Sequence, residues 1–269
     1  MNDVISAKLS QEPSKKKQYA LLTMIIVAAL IWSLSAIQFN ATDDGGAKIA
    51  GKIILGILQP DMELLWNFTN QGVFYLLFET ICIAFLGTIF GAILSIPVAF
   101  LMAPSIVPKP VYLFTRFFVI VLRTVPALVY GLMFVRVTGP GPFAGVMTMS
   151  LTSIGMVSKL YVDVIEDIDV GILEAMDAMG CTTFEKIRFG VIPQLFANFT
   201  SITIYRFDMN LRDATILGLV GAGGIGSPLI FAMNSYRWNQ VGSILIGLIV
   251  LILLVEVLSN RLRSKLVNG

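Results

Sequence analysis

The chain has 269 residues, of which 56% are apolar and only 13% are charged, and its formal net charge is +2. Water-soluble domains usually carry about 25% charged residues, so the composition excludes an ordinary soluble domain and indicates helices that face lipid or one another. The chain has no histidine and two cysteines, Cys82 and Cys181. We therefore expect no disulfide framework, no metal site and no catalytic residue, and the small net charge predicts no nucleic-acid partner.

Six apolar segments are long enough to cross a bilayer, which takes about 20 residues of helix. They predict an all-α integral membrane protein with spans at residues 19–39, 73–101, 111–135, 142–162, 195–220 and 241–258. A short surface helix is expected at 51–58, between the first two spans. Residues 19–258 form the predicted transmembrane domain, flanked by tails at 1–18 and 259–269.

Lysine and arginine set the predicted orientation, because cytoplasmic flanks of membrane helices collect them. With the N-terminus inside, the cytoplasmic segments hold eleven of these residues, which are Lys8, Lys15, Lys16, Lys17, Lys109, Lys159, Lys186, Arg188, Arg261, Arg263 and Lys265. Both termini and residues 163–194 are therefore expected in the cytoplasm. A cleaved signal peptide is the alternative for the first span. Its apolar part would be about 7–15 residues long, so the longer run here favours an uncleaved helix.

The polar segment between the fourth and fifth spans, residues 163–194, is unusual in so apolar a chain. Within it, residues 172–179 predict a helix, because Leu173, Met176 and Met179 recur at three- and four-residue spacing. A solvated connector is one interpretation of this segment. The methionine-bearing stripe favours a docking element for another protein, because methionine adapts to the groove of a partner.

The second half of this segment predicts a turn and another short helix. Gly180 suits the end of the first helix. Thr182 or Thr183 can cap the next helix, with Glu185 in its first turn. Pro193 marks a break before the fifth span.

The same segment resembles the EAA loop in the permease subunits of ABC importers, whose pattern is E-A-A, three residues, G, nine residues, I, one residue, L-P. The sequence departs from it at Met176, Gly190 and Ile192. In that family the loop forms a coupling helix that docks in a cleft of the ATPase subunit. The resemblance implies that residues 174–180 form this helix, and the implied coupling residues are Glu174, Ala175, Met176, Asp177, Met179, Gly180 and Pro193.

Three further segments, residues 77–101, 121–132 and 210–226, resemble the permease subunit of phosphonate importers. This resemblance covers most of residues 77–258. It implies a type I ABC importer-like fold in a bacterial inner membrane and a translocation path for phosphonate or a related phosphorus oxyanion. The implied partners are a second copy of the chain, membrane lipid, a cytoplasmic ATPase dimer and an extracytoplasmic substrate-binding protein. The ATPase would bind ATP and magnesium, so we expect no cofactor in this chain.

The run GAGGIG, residues 221–226, matches a dinucleotide-binding fingerprint, but it lacks the βαβ context and the acidic residue that such a site needs. Two interpretations stay open, a flexible outer turn and a tight non-helical backbone at the outer mouth. Irregular backbone at membrane depth must line a cavity or be buried in protein. The predicted outer-gate residues are Gly221, Gly223, Gly224 and Gly226.

Charged residues inside membrane spans are rare and are functional candidates. In the fifth span, Asp208 and Arg212 are four residues apart and can pair. Arg206, Asn210 and Asp213 share the opposite face of this helix. Two polar faces cannot both be hidden from lipid by one neighbour, so we expect this helix inside the assembly. The charges either fix helix packing or line an anion path. The path candidates are Arg123, Arg206, Asp208, Asn210, Arg212 and Asp213.

Other classes of protein remain possible from the sequence. An ABC permease for another small solute would share most of these features. A secondary transporter could use the charges of the fifth span for ion coupling, but it would more often show inverted repeats or paired broken helices, which we do not find. An intramembrane enzyme would need a nucleophile–base pair, and the sequence offers no such motif.

Overall fold

A computed structural model of the chain describes residues 16–36, 45–69 and 72–268. Within these ranges the backbone forms helices and short connections, and no strand is present. The helices are α1 (Lys16–Ala36), α2 (Gly45–Leu58), α3 (Met62–Leu65), α4 (Val73–Met102), α5 (Lys109–Thr124), α6 (Ala127–Thr138), α7 (Pro142–Glu166), α8 (Val170–Ala178), α9 (Thr183–Glu185), α10 (Ile192–Leu217), α11 (Gly226–Asn234) and α12 (Trp238–Asn268). The chain divides into two compact units, Met1–Ala50 and Gly51–Gly269.

Four of the described helices, α1, α4, α7 and α12, are long and apolar enough to cross a membrane, and the bent pair α5 and α6 makes a fifth span if it is counted as one. The predicted all-helical membrane architecture is therefore confirmed. Helix α10 has 26 residues, a sufficient length, but it is interrupted by charges. The count of six spans and the side of the termini stay predictions. Residues 37–39 of the first predicted span lie outside the described ranges.

The third predicted span is not one continuous helix, which corrects the expectation from its apolar run. Helices α5 and α6 meet at 85°, and Val125 between them is extended, with φ −85° and ψ 123°. The cause is Pro126, because proline disfavours helical backbone in the residue before it. Proline also lacks the N–H that would bond the carbonyl of Leu122, and the hydroxyl of Tyr130 donates to that carbonyl instead, at 3.1 Å.

The closest helix packing joins α4 to α7, and it depends on small residues. A Cβ added at Gly87 would lie 2.3 Å from the Cβ of Met149, and one at Gly91 would lie 2.4 Å from the Cβ of Ser153. Small residues let helix backbones approach closely where lipid provides no hydrophobic drive between helices. The α4–α7 pair thus forms a platform against which α10 packs.

The helix break expected at Pro193 is also not observed. Residues Lys186–Val191 form a π-helical turn that runs directly into α10, with Pro193 in the first turn of that helix. A wider turn accommodates a proline whose ring would clash with the carbonyl four residues earlier in a regular α-helix. The chain therefore continues as a helix instead of breaking.

Candidate functional site

Helix α8 lies in the polar segment and is capped at both ends. At its start the carboxylate of Asp169 accepts a hydrogen bond from the N–H of Gly171 at 2.9 Å. At its end Gly180 has φ +76°, its N–H donates to the carbonyl of Asp177 at 2.9 Å, and the N–H of Cys181 donates to that of Met176 at 3.0 Å. This pair of bonds is a Schellman motif. The predicted helix and glycine stop are confirmed.

The side chains of α8 present a mixed polar and apolar surface. Glu174, Ala175 and Asp177 are exposed, and Met179 is 72% exposed. Met176 is half-buried, so the predicted methionine stripe is only partly open. The carboxylate of Asp177 pairs with the ammonium of Lys186 across the glycine turn. This ion pair holds α8 against the turn that leads into α10.

The second short helix begins with a capping box, as predicted, and Thr182 is the cap. The N–H and hydroxyl of Thr182 donate to the carboxylate of Glu185 at 2.7 and 2.8 Å, and the N–H of Glu185 donates back to the Thr182 hydroxyl at 3.4 Å. The hydrogen bond from the Thr182 backbone, and then the one from its hydroxyl, lowers the pKa of Glu185. The turn between α8 and α9 is therefore a defined structure.

One polar face of α10 is buried against α4 and α7. The guanidinium of Arg206 donates to the hydroxyl of Ser153 at 3.0 Å and to that of Thr152 at 3.2 Å. The amide of Asn210 donates to the hydroxyls of Thr88, at 2.8 Å, and Ser153, at 2.9 Å. Arg206 is 5% exposed and Asn210 is fully buried. The structure thus brings these two candidates together in a polar lock that joins three helices.

Asp213 lies at the edge of this lock. Its carboxylate is 4.0 Å from the guanidinium of Arg206, and its side chain is 37% exposed. The three residues predicted on one face of α10 are therefore neighbours.

The opposite face of α10 carries the predicted ion pair. The guanidinium of Arg212 donates to the carboxylate of Asp208 at 3.0 Å and to that of Glu256 in α12 at 3.2 Å. Arg212 and Glu256 are each 48% exposed, whereas Asp208 is 15% exposed. Glu256 was missed as a candidate. Its position as an acidic residue within the apolar run of the last span was the available indication.

The glycine run lies against α4 and the start of α7. Gly221, Gly223 and Gly224 have φ of 82°, 82° and 71°, and Gly224 and Ile225 donate their N–H groups to the side chains of Glu79, at 3.2 Å, and Thr80, at 2.9 Å. Ile225 is fully buried.

A close backbone approach explains Gly226. A Cβ on Gly218 would lie 2.3 Å from the Cα of Gly226, so the chain folds tightly back on itself there. Most of the irregular backbone is thus buried in protein, one of the two environments open to it at membrane depth, while Gly221 and Gly223 are half-buried. Its role as a gate stays a prediction.

Arg123 lies apart from the polar lock on α10. It is exposed at the end of α5, and its stem packs on α7 where a Cβ at Gly155 would lie 2.8 Å from the Cγ of Arg123. Arg206 contacts other residues of α7. Arg123 lines a cavity between α5 and α7. The two arginines predicted to form one path therefore occupy different environments in this structure.

Comparison with known proteins identifies the family. A family model for binding-protein-dependent transport system inner membrane components matches residues 95–267. The phosphite transport system permease protein PtxC of Stutzerimonas stutzeri is 35% identical over 189 residues, which cover 70% of this chain and 69% of that protein. The phosphate-import permease protein PhnE of Mycolicibacterium smegmatis is 36% identical over 239 residues, or 82% of this chain, but the chain spans only 45% of its length.

Solved structures show the same fold. The inward-facing MetNI methionine ABC transporter matches with a TM-score of 0.60 and 22% identity, covering 70% of this chain and 93% of the matched chain. An amino acid ABC transporter matches with a TM-score of 0.54 and 20% identity over 82% of this chain and 94% of the matched chain. These likenesses confirm the predicted type of permease fold. The chain is a multi-pass membrane protein that belongs to the family of binding-protein-dependent transport system inner membrane components, the permease subunits of ABC importers.

Proposed function

We propose that this chain forms the translocation path of an ABC importer for phosphonate or a related phosphorus oxyanion in a bacterial inner membrane. The proposal is supported by relatives named for phosphate and phosphite transport and by the resemblance of three segments to phosphonate permeases. Two copies of the chain would work with two cytoplasmic ATPases, which bind ATP and magnesium, and with an extracytoplasmic substrate-binding protein.

The capped helix α8 is the proposed docking element for the ATPase, and its ties to the membrane helices carry this proposal. The N–H of Asp169 donates to the side chain of Gln194 at 3.1 Å, which joins the start of the loop to the start of α10. The Asp177–Lys186 ion pair makes a second tie. Because α8 is fastened at both ends, a displacement of its exposed surface is transmitted to α7 and α10 as a rigid-body motion.

The mechanism we infer is alternating access, and no bond is made or broken in this chain. Closure of the ATPases moves α8 in both copies, the helices rock, and a central cavity opens to the loaded binding protein; hydrolysis reverses the motion. The glycine loop at residues 221–226 is the proposed outer gate. Arg206 and Asn210 are assigned to helix packing, because the guanidinium of Arg206 and the side-chain nitrogen of Asn210 are buried and hydrogen-bonded to neighbouring helices. Arg123, which faces a cavity, is assigned to the path.

Co-purification tests the docking role. The tagged chain is extracted from its native membrane in a mild detergent and its companions are identified by mass spectrometry, for the wild type, Gly180→Val and Gly180→Asn. Gly180 has φ +76°, where a β-branched residue is a strained outlier and asparagine is tolerated. We expect an ATPase with a Walker A motif in about one-to-one ratio, weakened by Gly180→Val and kept by Gly180→Asn.

Uptake of labelled phosphonate by reconstituted vesicles completes the test. Gly180→Val should keep membrane insertion but lose the coupling of ATP hydrolysis to uptake. Normal coupled uptake in this variant would contradict the docking role of α8. A chain that purifies alone and whose uptake is abolished by ionophores would be a secondary transporter instead.

A further inference from the structure

A cavity of about 390 Å³ lies between α5 and α7, beside the connection from α4 to α5. Its charged lining consists of Arg116 and Arg123 from α5, and Lys159, Asp163 and Glu166 from α7. The volume falls within the range of about 300–1,000 Å³ that small-ligand sites occupy. The cavity is therefore large enough for a small anion and its hydration water.

The fold holds the cationic groups at this cavity. Arg116 and Arg123 are seven residues apart, about two helical turns, so they project from the same side of α5. Val119 lies between them and is 1% exposed, which fixes that side of the helix against the protein. Gly155 lets α7 approach the stem of Arg123, since a Cβ there would lie 2.8 Å from its Cγ.

These cations have no carboxylate partner in the described part of the chain. The four ion pairs among the described residues involve Lys186, Arg206 and Arg212. None of them includes Arg116, Arg123 or Lys159. Three cations against two carboxylates leave the lining with a net charge of +1. All five charged side chains are exposed to solvent. The excess of positive charge in the lining attracts an anion.

The two carboxylates narrow the choice of anion. Glu166 accepts hydrogen bonds from the hydroxyl of Ser105 at 2.6 Å and from its N–H at 3.4 Å. The carboxylate of Asp163 makes no ion pair among the described residues and is an acceptor that faces the cavity. An anion that offers ionised oxygens to the cations and an acidic hydroxyl to the exposed carboxylate of Asp163 therefore complements this lining best.

Phosphorus oxyanions meet this requirement, since phosphate-type groups retain an acidic P–OH proton close to neutral pH. Sulfate is fully ionised under these conditions and has no such proton. The phosphodiester of a lipid headgroup also lacks one. A carboxylate acceptor beside cations thus separates free phosphorus oxyanions from these two competitors.

We propose that this cavity binds a small phosphorus oxyanion that carries a P–OH group. Arg116, Arg123 and Lys159 contact its ionised oxygens, and Asp163 accepts from its P–OH. Glu166 is the last residue of α7, so the site lies on the side of the polar loop, next to the proposed docking element. The identity of this anion as the transported solute rests on the proposed function, whereas its binding rests on the cavity alone.

Equilibrium binding of radiolabelled inorganic phosphate tests the site, with the full chain and its co-purified subunits in nanodiscs of phosphatidylcholine near neutral pH. We expect saturable binding that methylphosphonate displaces and sulfate does not. Losing one charged hydrogen-bond partner should weaken binding about tenfold in Arg116→Gln, Arg123→Gln and Lys159→Gln. Arg136→Gln makes the same charge change outside the cavity and should bind like the wild type. Asp163→Asn should lose the discrimination against sulfate.

Two outcomes would overturn the site. In one, all cavity variants bind phosphate like Arg136→Gln. In the other, phosphate does not bind, and the variants instead lose an anionic phospholipid that co-purifies with the wild type. Phosphate binding that depends on the cavity in a chain that recruits no ATPase would overturn the proposed function and leave the site standing. Coupled phosphonate uptake that all cavity variants retain would leave the importer assignment standing, but it would overturn the path role of Arg123 and the identity of the bound anion as the transported solute.

Discussion

The hydroxyl of Tyr130 in α6 donates to the carbonyl of Leu122 in α5 at 3.1 Å, across the bend between these helices. In a continuous helix this carbonyl would accept from residue 126, which is a proline and has no N–H. An unpaired backbone carbonyl is costly away from water. Tyr130 thus stabilises the bend that places Arg123 at the rim of the cavity between α5 and α7.

Removing the Tyr130 hydroxyl should destabilise the bend. We expect Tyr130→Phe to lower the free energy of unfolding by about 1 kcal/mol, the usual net value of one hydrogen bond, as measured by SDS titration in mixed micelles. Tyr112→Phe is the control, because Tyr112 lies on α5, the other helix of the bend, is half-buried and does not bridge the bend. Equal loss in the two variants would mean that the hydroxyl of Tyr130 does not stabilise the bend.

A methyl group at Gly91 should separate α4 from α7. The added Cβ would lie 2.4 Å from the Cβ of Ser153 and 2.9 Å from the carbonyl oxygen of Ser150. Relief of this overlap would require the backbone of α7 to move. Overpacking of this kind costs about 1–3 kcal/mol, so Gly91→Ala should lower the unfolding midpoint in detergent.

Gly51→Ala provides the contrast for that variant. A Cβ at Gly51 meets nothing within 4 Å, and alanine in a helix is favoured over glycine by about 0.5–1 kcal/mol. This change should leave the midpoint unchanged or raise it. A Gly91→Ala protein as stable as Gly51→Ala would show that the α4–α7 contact is looser than the structure indicates.

Arg206 and Arg123 should respond differently to loss of charge. Arg206→Met removes the bonds to Ser153 and Thr152, so we expect a loss of about 1–3 kcal/mol in unfolding free energy. Arg123→Met affects an exposed group and should reduce transport with little change in stability. Unfolding and vesicle uptake are measured on both proteins, with Arg136→Met as the control. Normal transport and assembly in Arg123→Met would exclude that residue from the path.

The all-helical membrane architecture and the α8 turn could be predicted from local patterns, because apolar length, a helix-ending glycine and a capping box each depend on neighbouring residues. The roles of Arg206 and Asn210 could not, since their partners Ser153 and Thr88 lie 53 and 122 positions away. The role of Pro126 was also missed. A proline in an apolar run is compatible with a slight kink or with a sharp bend. The hydrogen bond from Tyr130 to Leu122, which stabilises the bend, forms only in the folded structure.

Acid should weaken the start of α9 through Glu185. Hydrogen bonds from Thr182 lower the pKa of this carboxyl in the folded protein. A group whose pKa is lowered on folding stabilises the fold above its unfolded pKa, about 4.3 for glutamate, and that contribution disappears as the pH falls through the lowered value. Amide hydrogen exchange at residues 182–186, corrected for intrinsic rates, should therefore lose protection only below about pH 4.3.

Glu185→Gln separates titration of the carboxyl from general acid unfolding. Glutamine keeps an acceptor for the Thr182 N–H, as capping boxes permit, but it does not titrate. Protection in this variant should change little with pH, while the wild type loses protection in acid. If both proteins lose protection at the same pH, the loss comes from elsewhere in the chain and Glu185 is not its cause. If neither does, the capping box is held by its backbone geometry instead of by the charge of Glu185.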